Sequence, residues 1–274
     1  DACNFCCPYC RPAEITPQSQ HQLLSVDEWM TILGAFHQVG VKAVRLTGGE
    51  PLLYPHIEEL LARIKQTGWF EDISMTTNGS LLAPRAEKLK ELGLNRVNIS
   101  LDSLDSDAFA LCVGKANQLD SVLSGIQSAI DAGFTSVKIN TVLSRHWTDD
   151  EVRALLTYVE TWPVIWRFIE YMPFQGDAFH GPTFDEWKAQ LERVSGGILT
   201  ENHGVYGFGP ATYYNLPSGK EIGFIFSMSH SYCDTCNRVR LTSDGQMRLC
   251  LLRDDEADRS EEHTSELQSP FAIS

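Results

Sequence analysis

Four cysteines fall within eight residues near the start of the chain, in "CNFCCPYC". Cys3, Cys7 and Cys10 have the spacing Cys-x3-Cys-x2-Cys, which Cys6 does not share. A structural zinc site wants four ligands, commonly in paired Cys-x2-Cys units. Three close thiolates suit a 4Fe–4S cluster that leaves one iron without a protein ligand, open to a chelating substrate. Zinc or an inert cluster remains the alternative on spacing alone. A second group, "CDTCNRVRLTSDGQMRLC", supplies Cys233, Cys236 and Cys250, again three thiols rather than four, with His230 the nearest substitute ligand. Arg238 and Arg240 follow directly. Two apart on a strand, they share a face, and guanidinium groups suit bidentate phosphate contacts. Between the groups, "LTGGEPLL" places Gly48, Gly49 and Glu50 just after a predicted strand, where glycines let backbone approach a ligand.

The elements that must position these residues alternate regularly. Helical periodicity over residues 26–40, 56–68, 85–93, 119–133 and 149–161 alternates with β-branched runs over 43–47, 72–77, 96–100, 136–142 and 164–171. That rhythm predicts βαβ units and a parallel sheet, hence a curved or partial (β/α) barrel, with one more strand expected before Asp1. Gly40, Gly93 and Gly133 end helices in the manner of C-caps. Ligand sites in such folds gather at the C-terminal ends of strands, and Thr76, Ser100, Lys138 and Met172 are expected at such ends. From about Pro173 the pattern turns β-rich, with "PSG" and "SDG" turns. This predicts a barrel core over residues 1–172 and a small extension over 173–258 that carries the second cysteine group.

Composition limits the function classes. A formal charge of −14 argues against broad nucleic-acid binding, which needs a basic surface, but allows an anionic small molecule held by converging arginines. No apolar run approaches the roughly 20 residues of a membrane span. Eight cysteines in 274 residues, seven of them in two clusters with only Cys112 between, point to metal ligation in a reducing, cytoplasmic compartment rather than a secreted disulfide scaffold. The segment "RSEEHTSELQS" shows no periodicity and is similar to translated read-through of a sequencing-library adapter. Residues 259–274 are therefore set aside, with both native ends expected to be missing.

The motif "CNFCCPYC", joined to "LTGGEP", resembles the radical S-adenosylmethionine superfamily. From there through "RFIEYMPF" and "GPATYY" to "SYCDTCNRVRLTSDGQMRLCLL", the chain resembles the GTP 3′,8-cyclase family of molybdenum cofactor biosynthesis. The resemblance implies two 4Fe–4S clusters, on Cys3, Cys7 and Cys10 and on Cys233, Cys236 and Cys250. It implies Tyr9, Gly48, Gly49, Glu50, Ser100 and Met172 for S-adenosylmethionine, and Arg45, Thr76, Lys138, Arg167, Arg238 and Arg240 for GTP. The family's reaction starts with a 5′-deoxyadenosyl radical that takes the C3′ hydrogen of GTP. The sugar radical then closes on C8 of guanine to give (8S)-3′,8-cyclo-7,8-dihydroguanosine 5′-triphosphate. Implied partners are the downstream cyclic pyranopterin monophosphate synthase and a flavodoxin- or ferredoxin-like electron donor, with a homodimer left open. The family's arginine before the first cysteine and its C-terminal Gly-Gly have no counterpart here, and Ala43 stands where many relatives carry lysine, so the chain as written is expected to be inactive. A radical enzyme acting on peptides and a non-catalytic metal-binding scaffold are the competing readings.

Overall fold

The computed structural model describes residues 2–10, 23–173, 181–204, 206–250, 256–257 and 272–273. Seven helices and twelve strands are described. The helices are α1 (Val26–Gln38), α2 (Ile57–Thr67), α3 (Ala86–Glu91), α4 (Ser106–Val113), α5 (Leu119–Asp131), α6 (Asp149–Thr161) and α7 (Phe184–Ser195). The strands of the barrel wall are β1 (Ala43–Leu46), β2 (Asp72–Thr77), β3 (Arg96–Ser100), β4 (Ser136–Val142) and β5 (Ile165–Ile169). Later in the chain come β6 (Thr200–Asn202), β7 (Thr212–Asn215), β8 (Glu221–Ile225), β9 (Arg238–Leu241), β10 (Met247–Arg248), β11 (Glu256–Ala257) and β12 (Ala272–Ile273).

One sheet carries all twelve strands, in the order β11-β10-β9-β12-β1-β2-β3-β4-β5-β8-β7-β6. Pairing is parallel from β9 to β8 and antiparallel at both ends. Among the described residues the two end strands do not pair, so the barrel they form is partial. Two features lay outside the periodicity reading. First, the parallel wall continues beyond Met172, because β8 pairs with β5. Second, β12 lies inside the segment set aside as adapter-like, yet pairs with both β1 and β9. The other residues of that segment lie outside the described ones.

Helix ends follow local chemistry. Ser25, Thr148 and Thr183 each form a capping box with a glutamate three residues on, at the starts of α1, α6 and α7. The helix α7 was legible in this signature, although β-rich turn signals around it dominated the sequence pattern. The eight-residue α4, capped by Asp105, is too short to show a clear period.

Strand alternation sorts the sheet into two chemically different faces. Val44, Ile73, Met75, Val97, Ile99, Val137, Ile139, Trp166, Phe168, Ile222 and Phe224 are buried with the helices in the main core. The intervening residues are polar: Arg45, Asp72, Ser74, Thr76, Arg96, Asn98, Ser100, Lys138, Asn140 and Arg167. Register aligns them across strands, with Arg45 beside Ser74, Ser74 beside Arg96, Asn98 beside Lys138, and Asn140 beside Arg167. A period of two residues therefore gives the barrel an apolar outer face under helices and a polar lumen.

Candidate active site

The first thiol group lies on a loop fastened to the barrel rim. Cys6 N–H donates to the Val113 carbonyl at 2.8 Å, and Glu50 N–H to Ala2 at 2.7 Å. Gly114 permits this approach: a Cβ there would stand 2.7 Å from the Cys6 carbonyl oxygen, and its φ of 65° favours glycine. Cys10 N–H closes a turn onto the Cys7 carbonyl at 3.0 Å. The Cys7 thiol is pushed up to about 12, first by burial, then by Asp102, Cys10 and Cys3, so the three sulfurs share one electrostatic neighbourhood. Cys3 Sγ accepts from Phe5 N–H at 3.4 Å. A ligand that neutralises thiolate charge offsets the penalty, and N–H donors aimed at sulfur suit an iron–sulfur cluster. Among the described residues no three His, Cys, Asp or Glu side chains converge tightly enough to hold one metal ion.

The half-buried Tyr9 and the buried Asp102 form a pair that spacing does not reveal. The Tyr9 hydroxyl donates to Asp102 Oδ2. Val142 N–H donates to Asp102 Oδ1 at 2.8 Å. Burial raises the Asp102 carboxyl to about 6, against these bonds and Arg145. Asp102 thus ties the cysteine loop to β4.

The Gly-Gly-Glu segment divides in role. Gly48 and Gly49 are exposed, and Gly48 has a φ of 152°, a conformation that favours glycine. Glu50 is 3 % exposed. Its carboxylate accepts from Thr77 Oγ1 at 2.7 Å, Asn78 N–H at 2.7 Å and Leu52 N–H at 3.0 Å. Burial raises its pKa against these bonds. The carboxylate therefore braces the turn after β2.

The lumen concentrates positive charge. Arg45 is depressed to about 10, first by burial, then by Arg167, Arg96 and Arg238. Lys138 falls to about 7, first by burial, then by Arg167, Arg96 and Arg45. Arg96 pairs with Asp72, its Nε donating at 2.7 Å, and its Nη1 donates to the Tyr206 carbonyl at 2.9 Å. Lys138 donates to the same carbonyl. Arg167 donates to Asn98 and to Asn140, each at 2.7 Å from Nη2. Gly223 makes room for it, since a Cβ there would lie 2.8 Å from Arg167 Cγ.

Thr76 lies one residue before the end of β2 and Ser100 ends β3, as expected. Met172 is three residues beyond β5. Lys138 does not lie at a strand end. It is the third residue of the seven in β4, and the parallel register pairs it with Asn98 in the middle of β3 and with Ile165 at the start of β5, away from the C-terminal ends of the strands. Sequence reasoning missed Asp72, Arg96, Asn98, Asn140, Asn78 and Asp102; only strand alternation could have flagged the first four.

At the second thiol group, Arg238 and Arg240 flank the buried Val239 on β9, as alternation requires. Cys236 N–H closes a turn onto Cys233 at 3.1 Å. Burial opposes ionisation of Cys236, yet the backbone and side chain of Arg238, with Arg240, hold its thiol below the ordinary value. Burial lowers Arg240, with Arg238 adding to it, while Tyr232, Cys236 and Cys250 oppose. Cys236 and Cys250 therefore both lie within electrostatic reach of Arg240. Arg238, 193 positions from Arg45 in sequence, lies two strands along the same wall and adds to the forces that lower it.

Residues 1–159 match the Radical SAM superfamily and residues 164–269 the family described as Molybdenum Cofactor Synthesis C. The chain is 40% identical over 263 residues to a GTP 3′,8-cyclase of Pelotomaculum thermopropionicum, covering 94% of this chain and 81% of that protein. It is 43% identical over 265 residues to a GTP 3′,8-cyclase of Trichodesmium erythraeum, covering 93% and 80%. Among solved structures, Streptococcus suis SuiB bound to S-adenosylmethionine superposes with a TM-score of 0.55 at 21% identity, covering 71% of this chain and 44% of that one. The hydrogenase maturase HydG of Carboxydothermus hydrogenoformans gives 0.54 at 18%, covering 72% and 50%. These likenesses concern the fold. Similarity over more than nine-tenths of this chain, and two family matches that together span the barrel and the second thiol group, place this chain in the GTP 3′,8-cyclase family of the radical S-adenosylmethionine superfamily.

Proposed function

We propose that the chain carries out the reaction named by its relatives, converting GTP to (8S)-3′,8-cyclo-7,8-dihydroguanosine 5′-triphosphate as the first step of molybdenum cofactor biosynthesis. The observation that carries this reading is the strand register, which sets Arg238 level with Ala43 through Ala272 and so turns Arg238 and Arg240 to the face that carries Arg45. It gathers Arg45, Lys138, Arg167, Arg238 and Arg240 around one lumen in a chain of net charge −14. Five basic side chains crowded into a partly buried space are costly unless an anion of several charges joins them, and a triphosphate is such an anion.

In this reading Cys3, Cys7 and Cys10 hold a 4Fe–4S cluster, and Cys233, Cys236 and Cys250 a second. When bound, the first cluster supplies the electron that cleaves S-adenosylmethionine. Tyr9, Gly48, Gly49, Ser100 and Met172 line the cofactor's place, while Glu50 holds the turn beside it. Arg238 and Arg240 grip the triphosphate, and Thr76, Lys138, Arg45 and Arg167 receive the rest of the nucleotide. The barrel core over residues 1–172 is continued by the extension over 173–258, which adds β8 to the wall and carries the second cluster. The product passes to cyclic pyranopterin monophosphate synthase, electrons arrive from a flavodoxin- or ferredoxin-like donor, and the setting is cytoplasmic. A homodimer is compatible with this scheme. Among the described residues no helix is long and apolar enough to cross a membrane.

The test is Arg238→Ala combined with Arg240→Ala, in the anaerobically reconstituted protein. GTP affinity should fall at least tenfold while reductive cleavage of S-adenosylmethionine continues. Unchanged GTP affinity would remove the clamp from the reading.

A further inference from the structure

The turn after β2 and the first cysteine loop share a ring of three polar side chains, Asn78 and Ser80 from the turn and Asn4 from the loop. Asn4 Nδ2 donates to Ser80 Oγ at 2.9 Å, Ser80 Oγ donates to Asn78 Oδ1 at 2.7 Å, and Asn78 Nδ2 donates to Asn4 Oδ1 at 2.8 Å. Each group in the ring gives to the next, so the direction of every amide is determined. Ser80 N–H also donates to Asn78 Oδ1 at 3.0 Å, filling the second lone pair of that oxygen. The amide nitrogen of Asn78 has two hydrogens. One is taken by Asn4, and the other faces Cys3 Sγ at a nitrogen–sulfur distance of 3.9 Å.

The turn itself is held from three sides. Glu50 accepts from Asn78 N–H and from Thr77 Oγ1, each at 2.7 Å. Gly79 adopts a φ of 78°. From α5, Gly125 packs so closely that a Cβ would come within 2.2 Å of the Gly79 carbonyl oxygen. The amide cannot turn away from the sulfur without breaking the ring or moving this turn.

We propose that Asn78 is a positioning residue that raises the reduction potential of the cluster held by Cys3, by directing an amide N–H at that sulfur. The inference rests on the radical-enzyme reading above. The physical cause is simple: an added electron increases negative charge on the cluster sulfurs, and a fixed N–H dipole pointing at one of them favours the reduced state. The Phe5 backbone N–H, 3.4 Å from the same sulfur, acts in the same sense but is removed only by proline, which would also constrain the backbone of the cysteine loop. Asn78 supplies the side-chain share.

The experiment is a potentiometric titration of the anaerobically reconstituted full chain, followed by electron paramagnetic resonance. The relevant cluster is recognised as the one whose signal changes when S-adenosylmethionine is added. In Asn78→Ala, the ratio of reduced to oxidised cluster at the wild-type midpoint should fall about tenfold, a shift of about 59 mV for one electron. Asn78→Asp, which keeps the shape but loses both donors, should fall at least as far. Ser80→Ala, which leaves Asn78 in place but frees its amide, should give a smaller shift in the same direction. Unchanged midpoints in Asn78→Ala and Asn78→Asp, at wild-type iron content, would overturn the proposal. Loss of the cluster from all three variants would also overturn it, because the ring would then be structural only. A wild-type protein with iron but no signal responsive to S-adenosylmethionine would instead sink the radical-enzyme reading.

Discussion

Lys138 offers a prediction whose size follows from its surroundings. Its side chain is 3 % exposed, and burial together with Arg167, Arg96 and Arg45 lowers it from 10.5 to about 7. A lysine depressed in the folded state binds its proton more weakly there than in the unfolded chain. Its charge therefore destabilises the fold fully below pH 7, and the penalty fades as pH rises toward 10.5. At about 1.36 kcal/mol per unit, the cost is about 4 kcal/mol at pH 7 and about 2 kcal/mol at pH 9. Lys138→Met removes it. The offset is loss of a donor to the Tyr206 carbonyl, roughly 1–3 kcal/mol for an unsatisfied buried group, reduced here because Arg96 still donates at 2.9 Å. The variant should thus be more stable than the parent by about 1–3 kcal/mol at pH 7, with the difference shrinking by pH 9. Urea unfolding of the cluster-free chain at both values measures it. A destabilised variant, or a difference independent of pH, would refute the argument that the lumen stores unfavourable positive charge. The same charge predicts the response to ligand. A triphosphate near Lys138 favours the ammonium form, so GTP binding at pH 8 should take up close to one proton. Calorimetry in buffers of different ionisation enthalpy would read this directly.

Gly125→Ala should lower the urea midpoint by the equivalent of about 1–3 kcal/mol, because the new methyl group would meet the Gly79 carbonyl oxygen at 2.2 Å. An alanine tolerated without cost would mean that α5 can slide on the β2 turn. Tyr9→Phe should cost about 1–3 kcal/mol by leaving one oxygen of the buried Asp102 with no hydroxyl donor. Combined with Asp102→Leu, the loss should be less than the sum of the two single changes; strict additivity in a double-mutant cycle would show the pair to be uncoupled.

Much of this molecule is local chemistry and can be read without the fold. The apolar positions of "VKINTV" and "VNIS" alternate with polar ones, which already implies strands with one greasy face and one wet face. Gly40, Gly93 and Gly133 all adopt positive φ after helices, as their positions suggested, since a helix end needs the left-handed conformation that glycine supplies without penalty. Thiol spacing on two short loops is equally local, and so is the pairing of Arg238 with Arg240 on one strand face. The capping box that starts α7 was available on the same terms.

What spacing could not carry is which distant groups meet. Glu50 belongs to a ligand-binding motif by resemblance, yet its carboxylate is spent on Thr77, Asn78 and Leu52. Lys138 was expected at a strand end and stands inside the wall, because depth in a lumen depends on strand register. Asp102 became a brace for Tyr9, and Asn78 an amide facing Cys3, through contacts spanning 93 and 75 residues of sequence. Residue type and period determined the chemistry available and the face each strand would show. Only strand order and register in the folded sheet decided which charges share one space, because electrostatic coupling and hydrogen bonding depend on distance in three dimensions, which sequence separation does not encode.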